Sequence, residues 1–151
     1  MKHVVSLRLI ELEENNYHLV LASQFPGGRE YTWVIDTGAS RSVFDLTLTE
    51  CYTSLPEGEE MNVQSAGIGA PALEASLGIL SPFSAGSLTF PPMKIALLDL
   101  THINDLYFHA VGEKICGLIG SDFLMEHRAI IDFGKLEMVL MRPHKTRKLR
   151  S

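Results

Sequence analysis

The residues most able to do chemistry lie in Trp33-Val34-Ile35-Asp36-Thr37-Gly38-Ala39-Ser40. A run of apolar strand formers ends abruptly in an acid, a small hydroxyl residue and a glycine. That order sets a carboxylate at the end of a buried strand, where desolvation penalises a lone charge. Gly38 lets the chain turn at once and brings backbone N–H groups toward the acid. Thr37 and Ser40 supply hydroxyls that brace such a loop. Taken alone, the three residues Asp36-Thr37-Gly38 also fit a strand-ending turn in which Asp36 does no more than accept backbone amides.

A second segment, Cys116-Gly117-Leu118-Ile119-Gly120-Ser121-Asp122-Phe123-Leu124, changes that balance. Two large apolar residues followed by Gly120, just ahead of a short helical stretch, let another strand pass tightly beneath the acid's loop. Together, Val34-Ile35-Asp36-Thr37-Gly38-Ala39-Ser40 and Leu118-Ile119-Gly120 resemble the retropepsin-like aspartic proteases. Val63-Gln64-Ser65-Ala66-Gly67-Ile68-Gly69-Ala70 stands where that family places a glycine-tipped flap hairpin. The segment 129–140 is similar to the closing hairpin of bacterial and single-domain eukaryotic relatives. The resemblance covers roughly residues 15–141.

It implies an all-β fold, a small closed β barrel with one short helix near the C-terminus, spanning 1–141, followed by a basic tail over 142–151. It implies an aspartic endopeptidase assembled as a homodimer, acting on a protein or peptide substrate without metal or organic cofactor. Asp36 is then the catalytic acid/base. Thr37, Gly38, Ala39 and Ser40 support its loop, and Leu118, Ile119 and Gly120 hold that loop from below. Gly67, Ile68 and Gly69 form the flap over the substrate, although Pro71 interrupts a hairpin ladder close to its tip. The only echo of the first motif, Ile131-Asp132-Phe133-Gly134, has Phe133 in place of the hydroxyl residue and reads as a hairpin turn. Asp122 reads as an early helix residue favoured by the helix dipole. A second copy is therefore the simplest source of a second acid. Two other readings are a catalytically weak peptide-binding or dimerisation module of the same fold, and a domain completed by an unrelated partner chain.

The elements that must position these residues read as β throughout. Val4–Ile10 and Tyr17–Ala22 are rich in branched residues and flank Glu13-Glu14-Asn15-Asn16, so a hairpin is expected. A strand enters the core over 30–35. Further strands are expected near 61–66, 72–80, 86–90, 93–99 and 128–141. A helix begins at Ser121, and a helical turn is expected within 99–108. Glycine and proline recur often enough to favour a sandwich or barrel over alternating βα units.

At 151 residues, with 46% hydrophobic and 21% charged residues, the chain can bury an ordinary core. A net charge of −5 argues against a broadly basic nucleic-acid binder. Arg142, Lys145, Arg147, Lys148 and Arg150 nonetheless gather in a terminal stretch without acids, read as a solvated tail. Cys51 and Cys116 have no metal-ligand spacing and read as buried free thiols rather than a disulfide. The six histidines show no zinc-site spacing either. Gly67-Ile68-Gly69-Ala70-Pro71-Ala72 formally fits a loose dinucleotide fingerprint but lacks its strand–helix setting. No apolar run reaches the roughly 18 residues of a membrane span. Arg8 breaks the N-terminal apolar stretch, so a reducing cytoplasm is the expected compartment.

Overall fold

A computed structural model describes residues 1–56, 60–63 and 73–141. The flap residues Gly67, Ile68 and Gly69, together with Pro71 and the tail 142–151, lie outside the described residues. The strands are Lys2–Ser6 (β1), Arg8–Glu13 (β2), Asn16–Phe25 (β3), Arg29–Ile35 (β4), Val43–Asp45 (β5), Tyr52–Ser54 (β6) and Glu60–Val63 (β7). They continue with Leu73–Leu80 (β8), Phe83–Ala85 (β9), Leu88–Phe90 (β10), Met93–Leu98 (β11), Gly117–Ile119 (β12), Ile130–Asp132 (β13) and Glu137–Met141 (β14). Thr101–Val111 (α1) and Ser121–Glu126 (α2) are α-helical.

The chain is mostly β. One large sheet runs in the order β10-β9-β3-β4-β12-β5-β11-β8-β6, with β2 added to β3 and β7 to β8. The sheet curls into a half-barrel, and among the described residues its end strands β10 and β6 are not paired with each other, so the expected closure of the barrel is not seen there. A second, three-stranded sheet, β1-β14-β13, lays Val5, Met138 and Leu140 onto the main core.

The expected first hairpin is β2–β3, but the apolar run that begins at Val4 is divided at Leu7. Lys2–Ser6 pairs with β14, whereas Arg8–Glu13 pairs with β3. Leu7 is buried, and its N–H donates to the Leu136 carbonyl at 2.9 Å. One run of branched residues thus serves two sheets, because its alternation suits either face.

The main core is aromatic: Trp33, Phe44, Phe25, Phe83, Phe90 and Phe123 lie within it. The buried Trp33 indole N–H reaches Ser23 Oγ at 3.0 Å, so its polar end is satisfied. Strand alternation divides β4 between two cores. Trp33 and Ile35 join the aromatic core, and Val34 turns to a second cluster with Ile10, Val20, Tyr107 and Ile115.

The turn expected over 99–108 is a full helix, α1, which closes that second cluster. Ile103, Tyr107 and Val111 recur at the four-residue spacing of one helix face and pack there. Gly112, at φ 73, then ends the helix with its N–H on the Phe108 carbonyl. Asn104, buried on α1, exchanges both amide hydrogen bonds with Ile115: its Nδ2 donates to the carbonyl at 3.0 Å, and its Oδ1 accepts the N–H at 2.7 Å. That pair ties α1 to the segment entering β12. Cys51 and Cys116 are buried free thiols, as expected.

Candidate active site

β12 lies between β4 and β5, parallel to the first and antiparallel to the second. Such insertion needs backbones in close contact, and Gly117 provides it. A Cβ there would stand 2.2 Å from the Val43 carbonyl oxygen and 2.8 Å from the Trp33 ring. The β4–β12 pairing carries on one residue past the end of β4, where the Asp36 N–H donates to the Ile119 carbonyl at 2.9 Å. The backbone of Asp36 is therefore held by the sheet while its side chain stands at the strand's open end, half-buried.

The loop then turns tightly. Ala39 N–H donates to the Asp36 carbonyl at 3.1 Å, and Gly38 N–H donates to Asp36 Oδ1 at 3.0 Å. The carboxylate thus accepts a loop amide, as a simple capping acid does, yet it keeps a face toward solvent. Thr37, Gly38 and Ser40 are exposed, and Ala39 is buried beneath them.

Leu118 and Ile119 pair with Val34 and Ile35, and Gly120 lies against the backbone of Ala39 and Arg41. Ser121 N–H donates to the Ala39 carbonyl at 2.8 Å, and Gly120 N–H to Ser42 Oγ at 2.9 Å. Ser42 in turn donates its N–H and its hydroxyl to Asp122 Oδ1, at 2.9 and 2.8 Å. Asp122 is more than the dipole-favoured helix residue expected, since it ties the start of α2 to the far end of the Asp36 loop. Sequence reading missed Ser42 altogether. Asp132, read as structural, accepts Lys135 N–H at 2.9 Å in its own hairpin turn.

Two further residues enter from outside the motifs. Tyr107 packs in the cluster that contains Val34, and its hydroxyl lies 3.2 Å from His18 Nδ1. Burial pushes the Tyr107 phenol up from its usual range, and the Asp36 carboxylate pushes it further. The only available signal was the helical spacing of Ile103, Tyr107 and Val111 ahead of Gly112.

A cavity of about 630 Å³ is lined by Arg41, Phe90, Asp122, Phe123, Glu126 and His127, among others; Asp36 is not on its wall. Among the described residues no three His, Cys, Asp or Glu side chains are gathered to hold a metal ion. No helix among them is long and apolar enough to cross a membrane.

The family profile described as aspartyl protease matches residues 24–123, a span holding both the Asp36 loop and Gly120. No curated protein sequence matches the chain. Among solved structures, edgp is similar in fold, with a TM-score of 0.57 at 11% identity. The match covers 93% of this chain and 46% of that one, so this chain spans about half its length. A retropepsin-like aspartic protease from Rickettsia conorii matches over 93% of this chain and 89% of its own, at 14% identity and a TM-score of 0.46.

Proposed function

The chain belongs to the aspartyl protease family, and from that premise we propose that it is an aspartic endopeptidase working as a homodimer, with Asp36 of each copy at the two-fold axis. The observation that carries this reading is the state of the acids in and around the two motif segments. Asp36 stands at an open strand end with its loop mates Thr37 and Gly38 exposed, whereas Asp122, the acid of the second motif segment, is bound by the Ser42 N–H and hydroxyl. Asp132, like Asp36, accepts one backbone amide, but it does so in the β13–β14 turn of the other sheet. A second copy therefore supplies the second carboxylate.

Two carboxylates brought to about 3 Å cannot both ionise, so the pair shares one proton and titrates as a unit. The ionised member takes a proton from the attacking water. The protonated member polarises the scissile carbonyl, and the leaving nitrogen is protonated as the tetrahedral intermediate breaks. Gly38 N–H on Asp36 Oδ1 fixes the plane of the carboxylate. The exposed Thr37 bonds to the opposite loop, so that Thr37→Val weakens the dimer. The peptide binds extended, as an added strand, with Gly67, Ile68 and Gly69 as the residues proposed to contact it.

Sedimentation across a dilution series, with and without a statine-type peptide inhibitor, tests this reading. A dimer, or a monomer driven to dimer by the inhibitor, supports it. A monomer indifferent to the inhibitor at high concentration overturns it and leaves a peptide-binding module.

A further inference from the structure

Side chains two apart on a strand share a face. Val34 therefore directs Asp36 toward the α1 side of the sheet, and Val20 does the same for His18 on the neighbouring strand β3. The two strands pair with Val20 opposite Val34. His18 and Asp36 each lie two residues beyond that last pair of the ladder, on the same face of the sheet. On the other flank of β3, His18 faces Ile10, which belongs to the same buried cluster as Tyr107. From above, α1 brings the Tyr107 hydroxyl to 3.2 Å from His18 Nδ1, with the two rings edge to face at a centroid distance of 5.8 Å. The helix cannot easily shift, because Asn104 is locked to both backbone groups of Ile115. One face thus joins an imidazole, a buried phenol and the carboxylate of the proposed dyad.

We propose that Tyr107, acting through His18, is a positioning residue of the Asp36 site: its hydroxyl donates to Nδ1 and so holds the imidazole as the Nε2–H tautomer, a fixed N–H donor on the sheet face that carries Asp36. An imidazole with one nitrogen occupied has its tautomer set by that bond, since the remaining proton must sit on the other nitrogen. Which group donates follows the imidazole tautomer, and the proposal gives that proton to the phenol, so that Nδ1 accepts it. The proposal rests on the protease reading for its consequence in catalysis but not for its geometry.

Two measurements test it together. The ¹⁵N shifts of the His18 ring report which nitrogen carries the proton. Wild-type protein should show the Nε2–H form, and Tyr107→Phe, which keeps the ring in its packing, should show a mixture of tautomers. In peptide hydrolysis, Tyr107→Phe and His18→Gln should each lower kcat/KM about tenfold, and the double variant should lose no more than either alone. Unchanged His18 shifts in Tyr107→Phe overturn the proposal, as do losses that multiply in the double variant. If wild-type protein hydrolyses no peptide, the protease reading fails, and the ring shifts alone decide whether Tyr107 fixes His18.

Discussion

Gly120 lies so close beneath Ala39 that a Cβ on it would stand 2.7 Å from the Ala39 carbonyl oxygen. The backbone of Arg41 is equally near, at 2.8 Å from carbon and 2.9 Å from oxygen. None of these atoms belongs to a flexible side chain, so an added methyl has to move the loop that carries Asp36. Gly120→Ala should therefore cost about 1–3 kcal/mol of stability and depress turnover more than stability explains. Thermal unfolding and peptide hydrolysis on the same preparation measure the two effects. A variant that folds and cleaves like wild type contradicts the requirement for close approach.

Ser42 joins the two halves of this support. Its hydroxyl accepts from Gly120 N–H and donates to Asp122, both across buried or half-buried space. Ser42→Ala leaves the Gly120 amide without its acceptor, for an expected loss of about 1–3 kcal/mol. Denaturant unfolding reads that loss. Stability equal to wild type means that another group has taken up the amide.

The assignment of the catalytic acid separates Asp36 from Asp132. Asp36→Asn should preserve the fold and reduce peptide hydrolysis by about a thousand-fold or more, roughly 4 kcal/mol of barrier. Asp132→Asn should leave turnover nearly unchanged, because Asp132 accepts the Lys135 amide within its own turn. Comparable losses in both variants point instead to a dyad within one chain.

His127 makes stability depend on pH. It is buried, with its ring centroid 4.4 Å from that of Phe123, and burial holds its pKa below the ordinary 6.5. The folded protein resists protonation there, while the unfolded chain takes up the proton in the ordinary histidine range. His127 therefore contributes its stability fully above about pH 6.5, and that contribution is lost as pH falls below this value. The melting temperature should drop between pH 7.5 and 5.5, and His127→Gln should flatten the drop. Parallel slopes for the two proteins contradict the assignment.

Local pattern determined a good deal of this molecule. Trp33-Val34-Ile35 announced a buried strand, Asp36-Thr37-Gly38 its abrupt end in an acid, and Leu118-Ile119-Gly120 a strand able to pass close beneath, because composition and two-residue alternation report burial directly. Three things could be decided only by the tertiary structure. The run beginning at Val4 is equally fit for either sheet, and Leu7 divides it only because Leu136 offers a carbonyl there. Helix α1 lacks a side-chain N-cap, and its true register is set by Asn104 meeting Ile115. Ser42 and Asp122, or His18 and Tyr107, are eighty or more residues apart. Pairs so distant leave no trace in local periodicity, since their meeting follows from the insertion of β12 between β4 and β5 and the seating of α1 on the β4 face.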